Sequence, residues 1–447
     1  MDSATISSKD WLRKMHNTKR SGGKVSKKQK TLAIIHYSCP PVIGGVEFVI
    51  RAHASLFVNA GYRTRIIVGN GKPLPAPIET FIIPELSSTG GPMAGLIKTL
   101  GRGKCPPAFK AAVKSVERLL EPALKGVDVC MIHNVMTMHF NLVMTAALAN
   151  IMRRSRSTRF IGWTHDATFR DPAYSAHHRN SYPWDLMKRK LPGCDYCVIS
   201  AQRQREIAKS FGIPKANLPV ISDGINVPKL LVLTPRITRL FYEEKLHDMD
   251  IVALTPTRIV PRKNLEAGME LVAAFKLLGK NVRWLITGAP DPHNANSIVY
   301  FKKLLKIRRV LDVENEVIFL SKKFKGHVQN KDLRGLFAVA DMMILPSRHE
   351  GFGLPALEGG LAGMLMVLSD IPALKEIAGH DAVYMRTHEK PIHIARRAIY
   401  AFKASPRLVF RKKMITDYSW HAVFSQKIVP AIEDPASLWP KSNRKHK

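Results

Sequence analysis

Short apolar runs alternate with stretches of helical periodicity along most of the chain, and this alternation restricts the fold more than any other feature. The first run, residues 32–35, contains no polar residue, as in strands whose two faces are both covered. A glycine pair at 44–45 follows, and residues 46–57 then place apolar side chains at helical spacing. A second strand-like run occupies 64–68. This order predicts a βαβ unit, from which parallel sheets are built.

The alternation continues in two series. Further strands are predicted in the first series at 127–132, 159–163, 194–200 and 219–221, and in the second series at 251–254, 282–287, 317–320, 342–345 and 365–368. Helices are predicted in the second series at 264–278, 297–308, 330–340 and 355–363. Residues 86–107 are rich in Gly, Ser and Pro and are interpreted as a surface excursion.

The length of the chain indicates more than one domain. A chain of 447 residues exceeds the size at which a single hydrophobic core keeps growing. The polar stretch between 223 and 250 separates the two series and is the natural boundary. The predicted organisation is a basic, disordered tail at 1–30, Rossmann-like domains at 31–224 and 225–425, and a C-terminal segment with a basic tail at 426–447. Ligands of such sheets bind at the carboxyl ends of the strands.

The predicted strand 342–345 is followed by the string S-R-H-E-G-F-G-L-P-A-L-E, which therefore occupies a strand-to-helix turn. Gly351 and Gly353 allow backbone amides to approach a ligand closely. The start of the helix offers free N–H groups and the positive end of its dipole to a phosphate. The carboxylates of Glu350 and Glu358 can accept hydrogen bonds from paired sugar hydroxyls. The alternative is an ordinary turn with two unrelated glutamates, but the complete string favours a ligand site.

This string resembles the E-x7-E signature of retaining GT-B glycosyltransferases, specifically glycosyltransferase family 4, and the following S-D-I-P-A-L-K-E-I is similar to that family too. The resemblance implies a transferase with the GT-B fold, in which two Rossmann-like, doubly wound parallel-sheet domains face a cleft. The first domain would lie on the acceptor side, the second would bind a nucleotide sugar, and the C-terminal segment would return to the first domain. One departure is A-G-M-L-M at 362–366, where many relatives carry a Cys-Gly-Thr-Pro-Val type of turn. We expect it to alter packing rather than chemistry.

The resemblance also implies roles for individual residues of the string. Glu350 would hold hydroxyls of the donor sugar, and Glu358 would hold the ribose hydroxyls of the nucleotide. The backbone amides expected to line the sugar and diphosphate are those of Gly351, Phe352, Gly353 and Leu354.

A basic loop follows the strand predicted at 251–254. Arg258 and Lys263 lie five residues apart on a loop entering a helix, and two such cations can clamp a diphosphate. They would also stabilise the charge that builds on the departing diphosphate. The family pattern matches Arg258 and Lys263 in these catalytic roles, with Arg262 as an alternative to Arg258. Gly288, after the next strand, is similar to the family's glycine that makes room for the nucleotide.

The first domain contains fewer matches. Gly44 and Gly45, which open its first helix, resemble the family's glycine loop facing the diphosphate and the acceptor. His165, in W-T-H-D at the end of a strand, resembles the cleft histidine that contacts the donor sugar near the reacting centre. A histidine ending a strand can equally be structural. His36 and His133 also follow strands but lack a comparable match.

The charge balance of the chain is strongly basic. Lys and Arg number 69 against 35 Asp and Glu, a formal net charge of +34. Such a field attracts polyanions, which suggests a phosphorylated or lipid-linked acceptor, or peripheral contact with an anionic membrane through residues 1–30. The alternative function is a basic protein that binds nucleic acid or another polyanion on a catalytically degenerate GT-B scaffold. Nucleic acid is disfavoured because the chain has no aromatic-basic, zinc-finger or helix-turn-helix recognition motif.

No metal or cofactor is expected beyond the donor substrate. Asp248 and Asp250 spell the D-x-D of metal-using glycosyltransferases but precede a strand instead of ending one. Cys194 and Cys197 form a C-x-x-C inside a predicted buried strand, with no second pair to complete a zinc site. No apolar run reaches the ~18 residues that a membrane span needs, and no signal peptide is read. We therefore expect a cytoplasmic protein, with peripheral contact at the inner face of the membrane.

Overall fold

The computed structural model describes residues 29–439 except 90, 178, 291–294 and 325–327. These residues form two compact units. The first contains the described residues up to Gly224 and those from Trp420 onward, and the second is Ile225–Ser419. The tail expected at 1–30 therefore lies almost entirely outside the described residues.

The first unit contains a six-stranded parallel sheet. Its strands are β1 (Thr31–Ser38), β2 (Arg63–Asn70), β3 (Glu79–Ile82), β4 (Val129–His133), β5 (Arg159–Thr164) and β6 (Cys194–Val198), in the order β3-β2-β1-β4-β5-β6. Its helices are α1 (Gly45–Asn59), α2 (Ala94–Gly101), α3 (Phe109–Leu124), α4 (Leu142–Arg154) and α5 (Ala201–Phe211). Short 3₁₀ turns lie at Pro84–Leu86, Gly91–Met93, Thr168–Arg170, Pro172–His177, Trp184–Lys188 and Lys215–Asn217. This strand order is that of the Rossmann fold.

The second unit repeats the same order in a second parallel sheet. Its strands are β7 (Ile251–Thr255), β8 (Val282–Ile286), β9 (Val317–Phe319), β10 (Met342–Leu345), β11 (Leu365–Ser369) and β12 (Ala382–Met385), ordered β12-β11-β10-β7-β8-β9. Its helices are α6 (Val227–Leu230), α7 (Pro235–Glu243), α8 (Leu265–Leu277), α9 (Ala295–Val310), α10 (Leu320–Lys323), α11 (Asn330–Val339), α12 (Leu354–Leu361), α13 (Pro372–Ala378), α14 (Pro391–Ala404) and α15 (Pro406–Tyr418). Short 3₁₀ turns lie at Leu246–Asp248 and Pro261–Lys263.

The C-terminal segment packs on the first unit. It consists of α16 (Trp420–Val423), a π-helical turn (Phe424–Ile428), α17 (Val429–Glu433) and α18 (Pro435–Leu438). The indole N–H of Trp439 donates to the carbonyl of Tyr196 at 2.8 Å, and the Arg159 guanidinium lies over the Trp439 ring. This segment therefore completes the core of a unit whose other residues lie far earlier in the chain.

The continuous apolar runs reflect strands buried on both faces. In β1, Leu32 and Ile34 contribute to one hydrophobic cluster, while Ala33 and Ile35 contribute to another, and all four are inaccessible to solvent. Successive side chains of a strand point to opposite faces, so both faces must be covered by helices. The prediction of a doubly wound parallel sheet is confirmed by this alternation.

Two local predictions are wrong. Residues 86–107 are not only a surface excursion, because they contain α2 and bury Leu86 and Leu100 in the core. Residues 219–221 form a single bridge, between Val220 and Val198, and not a strand. The short edge strands β3 and β12 were not predicted, since each has only four residues, most of them partly exposed, which carry little periodicity.

Two Rossmann-like domains, each a doubly wound parallel sheet, are the components of the GT-B fold, so the predicted fold class is confirmed. Across the part of the chain that the structure describes, no helix is both long and apolar enough to cross a bilayer.

Candidate functional site

The two motif loops of the second unit leave neighbouring strands. β7 and β10 pair in parallel at the point where the strand order reverses, which is where open α/β sheets bind ligands. The basic loop follows β7 and the E-x7-E string follows β10. The backbone N–H of Arg348 donates to the carbonyl of Arg262 at 2.9 Å, so the two loops are joined directly.

Glu350 is the residue on which the two loops converge. Its Oε1 accepts from Lys263 Nζ at 2.5 Å and from Ser347 Oγ at 2.6 Å, and its Oε2 accepts from Arg262 Nη1 at 3.2 Å. Only 7% of its side chain is exposed. Burial raises the pKa of the Glu350 carboxyl, but the hydrogen bonds from Lys263 and Ser347 and the nearby positive charges outweigh it, so the pKa lies below its ordinary value. The site therefore holds an ionised carboxylate.

Two of the three basic side chains contact the Glu350 carboxylate, and the third is exposed to solvent. Lys263 is buried and ion-paired with Glu350, and Arg262 also donates to the carbonyl of His349 at 3.3 Å. Arg258 is exposed, and its side chain has no hydrogen bond or ion pair to any described residue. The structure thus brings Lys263 and Arg262 onto Glu350 and leaves Arg258 free to meet an anion.

A second layer of polar side chains supports these loops, and sequence reasoning missed it. Arg348 Nη2 donates to Asn264 Oδ1 at 3.2 Å and to Glu266 Oε1 at 3.1 Å. Tyr300 donates to Glu266 and accepts from the backbone N–H of Leu265 at 2.9 Å. The start of α8 is thereby tied to the E-x7-E loop. Because these residues lie on three separate elements, no sequence spacing indicates their contact.

The glycines of the E-x7-E loop differ in what they require. Gly353 has a φ of +102°, and a Cβ there would lie 2.8 Å from a methyl group of Leu374, so this position needs glycine for the turn itself. At Gly351 a Cβ would meet open space and φ is ordinary. Phe352 and Leu354 are exposed beside it.

Glu358 lies on α12, seven residues after Gly351. Its side chain is exposed, and it forms no hydrogen bond or ion pair with the residues that the structure describes. Unlike Glu350, it is thus a free carboxylate on the surface of the second unit.

Gly288 is required by the protein's own backbone. A Cβ at this position would lie 2.0 Å from the carbonyl oxygen of Thr257 and 2.7 Å from the Cα of Arg258. The glycine therefore lets the loop after β8 approach the basic loop after β7. The space that a side chain at position 288 would need is occupied by the basic loop after β7.

In the first unit, the glycine loop lies beside an acidic side chain. Gly44 precedes α1 with extended backbone, and a Cβ there would lie 2.2 Å from a carboxylate oxygen of Glu47. That carboxylate accepts from Ser38 Oγ at 2.6 Å and lies 3.8 Å from His36 Nε2. Gly45 faces open space. Negative charge near this helix N-terminus is thus supplied by the protein itself.

His165 has both ring nitrogens engaged inside the first unit. Its Nδ1 lies 3.5 Å from Asp223 Oδ2, and its Nε2 lies 3.2 Å from His133 Nδ1. The histidine expected to contact a donor sugar therefore has no free ring nitrogen in this arrangement. His133 and His165 lie at the carboxyl ends of β4 and β5, and the parallel pairing of these two strands brings the histidines together.

Two further histidines, His36 and His53, surround the pair of His133 and His165 in a buried cluster. Burial lowers the pKa of His36 to about 4, that of His53 to about 3, and that of His133 well below its ordinary value. The ring of His53 meets those of His133, Trp163 and Trp420 edge-on. Neither nitrogen of His53 has a hydrogen-bond partner among the described residues. Burial therefore favours the neutral imidazole at His36, His53 and His133.

The residues of the two alternative metal motifs belong to separate parts of the fold. Asp248 closes a 3₁₀ turn, and Asp250 accepts from the backbone N–H of Asn281 at 2.9 Å, before β7 begins. Cys194 and Cys197 lie buried within β6, in the strand predicted for them.

Residues 237–414 match the family model described as Glycosyl transferases group 1. The part of the second unit between these residues is thus similar to glycosyl transferases of group 1. The matched range contains both motif loops, including Glu350 and Lys263.

Curated relatives point in the same direction. An uncharacterized glycosyltransferase of Methanocaldococcus jannaschii is 27% identical over 195 residues, which cover 42% of this chain and 45% of that protein. The glycogen synthase of Mycobacterium tuberculosis is 28% identical over 251 residues, covering 51% of each chain. This chain spans about half the length of the curated relatives it matches.

A solved structure, Anabaena HepE in complex with UDP and glucose, is 17% identical over 91% of this chain and all of its own, with a TM-score of 0.32. A likeness at that level carries no inference about function.

Proposed function

We propose that this protein is a retaining, family 4 hexosyltransferase that uses a nucleotide diphosphate sugar and needs no metal ion. The bond between the anomeric carbon and the diphosphate breaks, and its electron pair leaves on the diphosphate oxygen. The acceptor hydroxyl forms its bond to carbon on the same face, and its proton passes to the departing diphosphate.

The main support for the proposal is the position of the Glu350 carboxylate, which is held where the strand order of the second sheet reverses. Three donors occupy its oxygens, and a carboxylate has about four acceptor positions, so roughly one remains for a sugar hydroxyl. A carboxylate held in this way supports a role in orienting the sugar and not in attacking it. This agrees with front-face transfer without a covalent intermediate.

The remaining roles follow from the free groups around Glu350. Arg258, exposed and without an ion pair among the described residues, would bind the diphosphate as a fork, with Lys263 as a second charge once a donor displaces part of its contact with Glu350. The amides at 351–354 and the N-terminus of α12 would receive the diphosphate. Glu358, with no partner of its own among the described residues, would accept from the ribose hydroxyls.

A thermal-shift panel with UDP, GDP, ADP and their sugar conjugates tests the donor site. A ligand at about 100 times its Kd adds about 2.7 kcal/mol to the native state, so a shift of a few degrees is expected with one nucleotide series. The shift should be lost in Glu358→Ala. Because the Glu358 side chain is exposed and unpartnered among the described residues, this variant should fold normally.

Glu270→Ala is the matched control, because it removes an exposed glutamate of α8 that lies outside both motif loops. It should keep the wild-type shift. A panel without any shift, or one equally present in Glu358→Ala, would contradict the proposed donor site. Retention is tested separately, by reading the anomeric configuration of the product by NMR against that of the donor.

We further propose that the acceptor is phosphorylated or lipid-linked and that the basic N-terminal tail contacts anionic membrane. The net charge of +34 supports this, and the tail itself lies outside the described residues except for its last two. Removal of residues 1–30 should lower sedimentation with anionic vesicles. Unchanged sedimentation would contradict membrane contact.

The alternative of a polyanion-binding protein is not favoured, since the family match and the curated relatives are glycosyltransferases.

A further inference from the structure

A cavity of about 270 Å³ lies in the second unit, away from the motif loops. Its lining includes Arg334, Ala340, Ala362, Gly363, Arg407 and Arg411. Three of its lining residues are arginines and none is acidic. The Ala362-Gly363 turn, where the sequence departs from the family pattern, forms part of its wall.

The position of this cavity in the fold separates it from the donor site. α11 ends at Val339 just before β10 begins, and α12 ends at Leu361 just before β11 begins. The cavity therefore lies at the amino-terminal edge of the sheet. Glu350 and the basic loop lie at the opposite, carboxyl-terminal edge, so a ligand in the cavity would not occupy the donor site.

Two of the arginines are held in place by backbone carbonyls. Arg407 Nη2 donates to the carbonyls of Ala362 at 3.2 Å and Gly363 at 2.8 Å. Arg411 donates to Ala340 at 3.3 Å and also to Ala338. These contacts close the C-terminal ends of two helices, and they also fix the guanidinium groups before any ligand arrives.

The positive charge of the cavity is only partly neutralised. The buried carboxylate of Asp341 pairs with both Arg411 and Lys412. Arg407 donates to carbonyl oxygens and has no acidic partner among the described residues, and Arg334 is exposed with no hydrogen bond or ion pair to any of them. Helix capping accounts for Arg407 and Arg411, but it does not account for Arg334 on the facing helix α11.

The sequence around the cavity adds to its positive charge. From Lys390 to Thr416 the chain contains eight Lys and Arg residues and no Asp or Glu. A concave site with preplaced guanidinium groups and no acidic residue in its lining matches the geometry of phosphate oxygens, to which arginine donates in pairs.

We propose that this cavity is a second ligand site, which binds the phosphate group of a small phosphorylated molecule at the edge of the second sheet opposite the donor site. The phosphate belongs to a free ester or to a lipid headgroup. In either case Arg334 supplies the free guanidinium, and Arg407 contributes the N–H groups that its carbonyl contacts leave unused.

Calorimetric titration of the full chain with inorganic phosphate and with glucose 6-phosphate tests the site. Arg334→Ala should weaken binding of the preferred probe about tenfold, as expected for the loss of a charge-assisted hydrogen bond. Flotation with phosphatidylcholine vesicles, with and without phosphatidic acid, forms the second arm. Binding that depends on Arg334 only in that arm identifies a lipid headgroup as the source, and binding in the first arm identifies a free ester.

Two exposed arginines provide matched controls with the same charge change. Arg396→Ala on α14 lies outside the cavity and should bind like the wild type. Arg258→Ala removes a guanidinium of the donor loop and so distinguishes phosphate bound there from phosphate bound in the cavity. The proposal is overturned if the wild type binds none of the probes, if Arg334→Ala binds as tightly as the wild type, or if Arg258→Ala alone abolishes binding. The last result would place the phosphate at the donor site, and none of these readouts depends on transferase activity.

Discussion

Glu350 and Lys263 form a nearly buried ion pair, and such a pair is stabilising only when its remaining hydrogen bonds are satisfied. Here Ser347 and Arg262 supply additional donors. Removing Lys263 alone would leave a buried carboxylate without its strongest partner. The pair is therefore as much a constraint on folding of the two loops as a feature of the proposed chemistry.

The contrast between Gly351 and Gly353 separates a requirement of the ligand from a requirement of the fold. At Gly351 the protein leaves open space for a side chain, so a need for glycine there would come from a bound donor. At Gly353 the positive φ and the contact with Leu374 demand glycine with or without ligand.

Gly351→Ala should therefore weaken donor binding about tenfold while leaving the protein as stable or slightly more so. An added Cβ blocks close approach of a sugar or diphosphate to the backbone, whereas Gly-to-Ala replacement at an unstrained position stabilises by about 0.4–1 kcal/mol. Donor affinity from titration and the midpoint of denaturant unfolding are the two measurements.

Gly360→Ala is the control, because Gly360 lies on α12 with open space around it but beyond the loop. It should share the gain in stability and keep full donor affinity. Gly353→Ala should lose stability even without donor. Unchanged donor affinity in Gly351→Ala would show that no ligand approaches this part of the backbone.

Parallel pairing of neighbouring strands explains the histidine cluster. β1, β4 and β5 are adjacent, so their carboxyl ends gather His36, His133 and His165 at one edge of the first sheet. α1 adds His53, which is completely buried. Burial favours the neutral form of each imidazole whose pKa is lowered.

Acid should destabilise the first unit through these histidines before most carboxylates titrate. The pKa of His53 is about 3 in the folded protein and about 6.5 in an unfolded chain, so the unfolded state binds more protons between these values. Its contribution to stability is complete above about pH 6.5 and is lost as the pH falls towards 3, by up to about 1.4 kcal/mol per pH unit. His53→Phe should keep stability at pH 7 and make the free energy of unfolding fall less steeply between pH 6.5 and 4.

Chemical denaturation at several pH values measures this slope. Phe preserves the edge-on ring contacts with Trp163 and Trp420 and removes two nitrogens that have no hydrogen-bond partner among the described residues. His393→Phe, an exposed histidine of α14 in the second unit, controls for the loss of a histidine as such. An unaltered slope in His53→Phe would exclude His53 as a source of acid sensitivity.

At the scale of the whole molecule, the C-terminal segment makes the first unit discontinuous in sequence. Val423, Phe424, Ile428 and Ala431 belong to the hydrophobic cluster that covers one face of the first sheet. Arg159 Nη1 also donates to the carbonyl of Ala431 at 2.6 Å. The first unit cannot complete its core until the second unit has been synthesised.

A chain ending after Ser419 should therefore lose the fold of its first unit while its second unit stays folded. Burying one large apolar side chain contributes about 1.5–3 kcal/mol, so loss of several approaches the 5–15 kcal/mol that stabilises a typical domain. Limited proteolysis should cut the truncated chain within residues 31–224 and spare 225–419. A chain ending after Trp439 is the control and should resist cleavage like the full chain; equal resistance of both truncations would contradict the prediction.

The sequence alone determined most of the buried strands and their order, because strand and helix periodicity are local properties that about twelve consecutive residues display. The apolar run of β1 predicted burial on both faces, and the string after β10 predicted a turn that opens a helix. Short edges such as β3 and β12 could not be predicted, since their few residues are partly exposed and carry no clear period. The proposed site residues in both units were nominated from motifs, and their roles remain predictions.

Only the tertiary structure decided which side chains meet. It placed Lys263 and Arg262 on Glu350 and left Arg258 free, and these partners are separated by more than eighty residues in sequence. It engaged both nitrogens of His165 within the first unit, and it gathered Arg334, Arg407 and Arg411 around one cavity. The physical reason is common to all of them. Contacts between side chains depend on which strands and helices become neighbours, and neighbours in a parallel sheet come from distant parts of the chain.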